Sequence, residues 1–346
     1  MHVALLPCFT PRKRRFRPGL ALASLALSLT LLPVPGVAHD SPSHVIDGLT
    51  ARIEADPKRA DLYWRRATEY RVLSRLPEAA RDLQKALRLE PGFLSAVLDL
   101  SRVELAQNQT RRALATVNRA LAMVPASDSA GRAPVRMLRA EILSARGDWT
   151  GALADCDAAI QEAGTHELDW YLARSQIHFQ TGRIKEAVQG LKEGVDLTGS
   201  AVLEVEYIEA LIDAGEFQEA ATRIEPMLAE SRWQSAWLVR RARVRIGRGD
   251  ITAAQSDLLA ALRELRLRLS GPQPDYSLLL QRGMAHALLG DIPQAERDLR
   301  RARDLGAAAG DPVAVRRLEA AVALNEPVGS RNDRGKKNRP LAGAGS

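Results

Sequence analysis

The sequence contains few of the residues that form sheets, disulfide frameworks and catalytic sites. Aromatic residues make up 4% of the 346 residues, and the chain has only two cysteines. Val, Ile, Thr and aromatic residues do not alternate at a period of two, which argues against β-strands. Ala, Leu and Arg dominate instead, and hydrophobic residues reach 46%. This composition predicts an all-α fold with enough apolar side chains for a core.

The motifs of familiar enzyme classes are also missing. The sequence has no Walker loop, GxSxG elbow, HExxH helix, GxGxxG turn or paired CxxC. Cys156, His178 and His286 fall at positions of helix packing, so we interpret them as structural side chains. The sequence therefore predicts that the protein is not an enzyme and needs no cofactor.

The positive charge of the chain is confined to its two ends. The formal net charge is +7, of which residues 1–39 contribute +5 and residues 326–346 contribute +3, leaving about −1 for residues 40–325. A balanced body does not present a broad basic face to phosphates, so no nucleic-acid partner is predicted. Residues 326–346 lack an apolar face and are predicted to be a disordered basic tail.

The first 38 residues have the three-part pattern of a secretory signal peptide. The basic stretch Arg12 to Arg17 precedes an apolar run of 13 residues, Leu20 to Leu32, and then Pro33 and small residues up to Ala38. This run is short of the roughly 20 residues that span a bilayer, so an uncleaved anchor is the alternative. Cleavage would leave Cys156 without a disulfide partner. We predict an exported protein, periplasmic or extracellular, with no membrane span after signal removal.

Small residues recur along the rest of the chain at a period close to 34. Successive members of one alanine column are separated by 34, 39, 35, 33, 34 and 41 residues. The two long intervals contain Ala126 to Pro134 and Leu267 to Asp275, which we interpret as lengthened loops. A second column, at the turn before each of these alanines, contains residues suited to a left-handed helix end. The alanine column is Ala79, Ala113, Ala152, Ala187, Ala220, Ala254 and Ala295, and the turn column is Ser74, Asn108, Gly147, Gly182, Gly215, Gly249 and Gly290.

These columns resemble the tetratricopeptide repeat family, which shares the 34-residue period. Residues 60–91 match the family motif most fully, with Tyr63, Ala67, Tyr70 and Pro91 in register. The resemblance implies an α-solenoid of about seven tetratricopeptide-like helix-turn-helix repeats with terminal capping helices. The predicted units are 60–93, 94–127, 133–166, 168–201, 201–234, 235–268 and 276–309, between an N-terminal capping helix at 41–57 and a C-terminal one at 311–325.

In this family the first helix of every unit lines a concave groove that binds a protein or peptide. The resemblance therefore implies a scaffold or adaptor whose unknown partner docks on the inward-facing residues. The first unit is basic there and the fifth is acidic, which predicts that Arg65 and Arg71 accept an acidic segment and that Glu206 and Glu209 accept a basic one. The predicted groove residues are Trp64, Arg65, Thr68, Arg71, Arg102, Phe179, Glu206, Glu209, Asp213, Arg240 and Arg243.

The new N-terminus suggests an alternative function. Cleavage after Ala38 would expose His39, whose amine and imidazole can bind copper, and His44 could complete the site. A metal-binding accessory protein is therefore the second hypothesis.

Overall fold

The computed structural model describes residues 41–271 and 275–325. Seventeen helices and no β-strand occur within these residues, which confirms the predicted all-α fold. None of these helices is long and apolar enough to cross a membrane. The helices are α1 (Pro42–Ala55), α2 (Ala60–Val72), α3 (Leu76–Leu89), α4 (Leu94–Ala106), α5 (Thr110–Met123), α6 (Ser129–Ala145), α7 (Trp149–Glu162), α8 (Leu168–Gln180), α9 (Ile184–Thr198), α10 (Ala201–Ala214), α11 (Phe217–Glu230), α12 (Ser235–Gly247), α13 (Ile251–Arg268), α14 (Tyr276–Leu288), α15 (Ile292–Asp304), α16 (Ala307–Gly310) and α17 (Pro312–Asn325).

The helices stack in chain order as a solenoid. Seven antiparallel pairs run from α2 and α3 to α14 and α15, and each helix packs against its neighbours in sequence. At the N-terminal end α1 packs on α2, and at the other end α17 packs on α14 and α15. The predicted signal peptide and basic tail lie outside the described residues.

Each pair is closed by a turn with one residue in the left-handed conformation. Ser74 and Asn108 have φ of 57° and 62°, and the five glycines of the predicted turn column also have positive φ. In the first pair the Arg75 amide donates to the Tyr70 carbonyl and the Ser74 amide donates to the Arg71 carbonyl. This is the Schellman pattern, which satisfies carbonyls that the helix leaves free. The turn column predicted from the sequence is thus confirmed.

The alanine column lies where two helices cross. All seven members are at most 1% exposed. A glycine at a neighbouring crossing shows how close the helices come: a Cβ on Gly283 would lie 2.8 Å from a methyl carbon of Leu318 in α17. These positions therefore require small side chains for the helices to pack.

The structure corrects the boundary of the third unit. The stretch 126–134 was predicted as a loop because it contains Gly131 and Pro134, yet α6 begins at Ser129 and includes Pro134. The carboxylate of Asp128 accepts a hydrogen bond from the Gly131 amide, and this cap starts the helix early. At the other lengthened interval, α13 continues to Arg268 before the loop begins.

A repeated ion pair that the sequence analysis did not identify joins the two helices of four units. An arginine of the first helix donates two hydrogen bonds, 2.5–2.9 Å long, to an aspartate 16 residues later. These hydrogen bonds raise the pKa of each arginine despite its partial burial. Paired donors and acceptors fix the angle between two groups as well as their distance, so these pairs hold each unit in register. The pairs are Arg66 with Asp82, Arg139 with Asp155, Arg241 with Asp257 and Arg282 with Asp298.

Candidate functional site

The first helices of the units form the inner wall of the solenoid. Each of α2, α4, α6, α8, α10 and α12 contacts the first helix of the next unit, whereas successive second helices do not contact one another to the same extent. The first helices therefore lie closer together, and the layer with the closer spacing is the concave one. Cavities open on this wall, and first-helix side chains contribute most of their lining.

At the N-terminal end of the wall, an aromatic side chain lies between basic ones. Trp64 is half-buried, and its ring packs on Phe93 with centroids 5.4 Å apart. Its indole Nε1 donates a 2.8 Å hydrogen bond to Asp99, which also pairs with Arg102 at 3.1 Å.

The neighbouring predicted residues differ in exposure. Arg65 and Arg71 are exposed, whereas Thr68 is half-buried and donates its hydroxyl to the Trp64 carbonyl. Trp64, Arg65 and Thr68 share a pocket with α1, where His44 also lies. The structure thus brings three of the four predicted residues of the first unit into one pocket, whereas Arg71 is exposed outside it.

The middle of the wall contains a cavity of about 560 Å³ between α4, α6 and α8. Its lining combines Arg102, Met137 and Trp170 with Glu141, whose pKa is raised by burial. Phe179 lies further along, with the guanidinium carbon of Arg317 5.5 Å from its ring centroid. The cavity therefore offers apolar surface with a few polar groups, as binding pockets commonly do.

The C-terminal part of the wall contains a partly buried charge network, centred on the buried Glu209, that the sequence analysis did not predict. Glu209 on α10 accepts hydrogen bonds of 2.8 Å from Arg240 and 2.5 Å from Arg243. Asp213 accepts from Arg243 and, at 2.7 Å, from Arg317 on α17. Arg317 lies 104 residues after Asp213, so this hydrogen bond joins the C-terminal capping helix directly to the fifth unit.

The network controls the ionisation of its members. Burial alone would raise the pKa of Glu209, but the positive charges of Arg243, Arg317 and Arg240 outweigh it and hold that pKa well below its usual range. Burial likewise opposes the charge of Arg317, yet Glu209 and Asp213 raise its pKa. Glu209 and Arg317 are therefore both charged at neutral pH.

This pairing changes the interpretation of the acidic zone. Glu209 was predicted to accept a basic segment of a partner, but its carboxylate is buried and already bound by arginines of the same chain. Glu206 differs, because it makes no salt bridge or hydrogen bond in the part of the chain that the structure describes. Burial raises its pKa, partly offset by Arg317. Of the two predicted acceptors, only Glu206 is available to a partner.

The predicted copper site falls mostly outside the described residues. His39 is not among them, and His44 is exposed on α1. Within the described ranges no group of three or more His, Cys, Asp or Glu side chains is placed to hold a metal ion. The copper hypothesis stays a prediction. Cys156 is fully buried, and burial raises its pKa to about 12, as expected for a structural thiol.

Comparisons with known proteins agree with this architecture. Residues 74–142 match the model of the tetratricopeptide repeat family. A DnaJ protein P58IPK homolog from Arabidopsis thaliana is 26% identical over 293 residues, which cover 75% of this chain and 58% of that protein. The chain thus spans a little over half the length of this relative.

Two solved structures share the fold at low sequence identity. A tetratricopeptide repeat protein from Parabacteroides merdae has a TM-score of 0.54 and 15% identity, over 76% of this chain and 98% of that one. The C-terminal part of a tetratricopeptide repeat-containing protein from Cytophaga hutchinsonii has a TM-score of 0.53 and 15% identity, over 72% of this chain and 96% of that one. The fold of the chain is therefore that of a tetratricopeptide-repeat solenoid.

Proposed function

We propose that this tetratricopeptide-repeat protein is a scaffold or adaptor that binds a protein or peptide in the periplasm or outside the cell, and that it has no catalytic role. The observation that carries the proposal is the concave wall itself. First-helix side chains line it, and cavities open in its middle and C-terminal parts. A groove of this kind accepts an extended or helical segment through a series of side-chain anchors.

The first unit supplies a site for an acidic segment of the partner, and Trp64 is the aromatic anchor of this site. Trp64 presents part of its ring on the wall, and its orientation is fixed by the hydrogen bond to Asp99 and by Phe93. Arg65 is exposed in the same pocket, and Arg71 is exposed further along the same helix. A preorganised aromatic side chain surrounded by charges is typical of an interface hot spot, because little conformational entropy is lost on binding.

The proposed location rests on the sequence of residues 1–38. The basic stretch, the short apolar run and the small residues before His39 favour export and cleavage. The mature chain would keep one cysteine, Cys156, and its burial protects it from unwanted disulfide exchange in an oxidising compartment. The partner is accordingly expected among exported proteins.

The test is affinity capture by the mature protein from its own periplasm or medium, followed by affinity measurements with variants. The groove variant is Trp64→Ala with Arg65→Glu and Arg71→Glu. Single exposed charges contribute about 0–1 kcal/mol, so the three changes are combined. We expect the groove variant to weaken binding at least tenfold, which corresponds to about 1.4 kcal/mol, and added salt to weaken the wild type.

A matched control carries the same three kinds of change away from the groove. Trp233 is exposed in the loop before α12, and Arg81 and Arg88 are exposed on α3. Trp233→Ala with Arg81→Glu and Arg88→Glu should leave the affinity unchanged. If the control weakens binding and the groove variant does not, the partner binds the outer surface and the proposed site is wrong.

A further inference from the structure

We infer that the C-terminal end of the groove contains an anchor pocket for one lysine side chain of the bound partner. The pocket lies between α10, α12, α14 and α17 and has a volume of about 250 Å³. Drug-sized ligands occupy about 300–1,000 Å³, so this pocket fits a single side chain better than a whole small molecule. The inference rests on the proposed function, because it names the chemistry that one part of the same groove recognises.

The pocket has the two chemical halves that a lysine requires. Its walls include Val239, Leu280 and Met284, which can cover the four-carbon stem. The carboxylate of Glu206 and the amide oxygen of Gln281 line the same pocket and are both hydrogen-bond acceptors. A lysine ammonium donates up to three hydrogen bonds and accepts none, so it matches acceptors at the end of an apolar sleeve.

Neither acceptor has a hydrogen-bond partner among the described residues. Glu206 makes no salt bridge or hydrogen bond among the described residues. The Gln281 Oε1 atom is buried and likewise has no hydrogen-bond partner in that part of the chain. A buried polar atom without a hydrogen-bond partner destabilises the protein, because the atom has given up its hydrogen bonds to water. A bound ammonium would remove this destabilisation at Gln281 and would give the Glu206 carboxylate a charged partner.

The charge of the surroundings favours a cation as well. The pocket lining contains three carboxylates and three guanidinium groups. Asp213, which lies outside the lining and pairs with Arg243 and Arg317, adds a fourth carboxylate, so a single positive charge brings this larger cluster to neutrality. The groups are Glu206, Glu209, Asp213, Asp311, Arg240, Arg243 and Arg317.

Arg317 adds a contact for the partner's backbone. It lines the pocket from α17, and its Nη2 atom is buried without a hydrogen-bond partner among the described residues, although its Nε donates to Asp213. A peptide carbonyl beside the bound lysine is a suitable acceptor for this group. The pocket therefore depends on the capping helix as well as on the repeats.

The test uses methyl NMR of the mature full-length protein labelled on its methionines. Met284 lines the lysine pocket and Met137 lines the central cavity, so the two methyl signals report on separate parts of the groove. The probe is the blocked pentapeptide Ac-Ala-Ala-Lys-Ala-Ala-NH2, titrated beside the same peptide with Gln or acetyl-lysine at the centre. We expect the lysine peptide to shift the Met284 signal with an affinity at least tenfold higher than that of either neutral peptide.

The matched variants are Glu206→Gln and Glu230→Gln. Glu206→Gln keeps the shape of the side chain and removes its charge, and it breaks no ion pair, so the protein should fold normally. Glu206→Gln should lower the affinity for the lysine peptide at least tenfold, whereas Glu230→Gln, at the exposed end of α11, should not change it. No Met284 shift with the lysine peptide, or equal affinities for Glu206→Gln and the wild type, would overturn the inference.

The result is separable from the test of the proposed function. A captured partner that shifts Met137 and leaves Met284 unchanged would support groove binding while ruling out the lysine pocket. A captured partner that shifts neither the Met137 nor the Met284 signal would contradict both the groove binding and the lysine pocket.

Discussion

Arg317 connects the last helix of the solenoid to its middle, and removing its side chain should separate them. In the wild type its Nε donates to Asp213 at 2.7 Å, and its guanidinium lies 5.5 Å from the Phe179 ring. Contacts in a solenoid otherwise join neighbouring units, so this bond couples elements that would unfold independently. We predict that Arg317→Ala uncouples α17 from α10.

The size of the effect follows from the partners that remain. Removing one member of a buried ion pair costs about 3–5 kcal/mol, because the other charge is left uncompensated. Here Glu209 keeps Arg240 and Arg243, and Asp213 keeps Arg243, so neither carboxylate is left without a cation. We therefore expect a lower cost, about 2–3 kcal/mol, in the free energy of unfolding of the C-terminal units.

Hydrogen exchange measured by mass spectrometry, together with urea unfolding followed by circular dichroism, checks this prediction. Exchange should speed up in α17 and α10 but not in α2 to α5, and the urea transition should broaden. Arg316→Ala is the control, because Arg316 is the exposed neighbour in the same helix. If Arg317→Ala and Arg316→Ala show the same exchange and the same transition, Arg317 does not couple the two helices.

Two further predictions concern export and the repeat register. The exported protein should begin at His39, and its intact mass should show the loss of residues 1–38. A mature chain that retains Met1, or that begins inside the first repeat, would contradict the predicted signal peptide and the copper hypothesis. Ala152→Trp should destabilise the protein by about 1–3 kcal/mol or more, because Ala152 is 0% exposed at a helix crossing. Ala154→Trp, on the exposed side of the same helix, should have little effect. Equal thermal stabilities of the two variants would show that the repeat register is wrong.

The features that the sequence predicted are those with a local physical cause. A chain that reverses direction between two helices within two or three residues needs one residue in the left-handed conformation. Gly, Asn or Ser occupies this position in every unit. Helices that cross closely need a small side chain at the crossing, so the alanine column that contains Ala152 can be recognised in the sequence. Because of Pro134, the start of α6 was predicted too late in the sequence. The helix begins before the proline, at the cap supplied by Asp128.

The candidate site could be predicted only in part, because it depends on the curvature of the whole array. The inward positions of the first unit follow from helix periodicity, and the structure places Trp64, Arg65 and Thr68 in one pocket. No local pattern indicates that Arg317, in a helix outside the repeat register, reaches α10. The pairing of Glu209 with that arginine therefore appeared only in three dimensions.

Photocrosslinking at the two faces of the solenoid tests the central claim most directly. A benzophenone amino acid is placed at Gln176, which lines the central cavity, or at Gln84, which is exposed on α3, and the protein is irradiated in its own exported compartment. Groove binding predicts that the same exported protein is crosslinked from position 176 and not from position 84. A crosslinked partner from position 84 alone would contradict it.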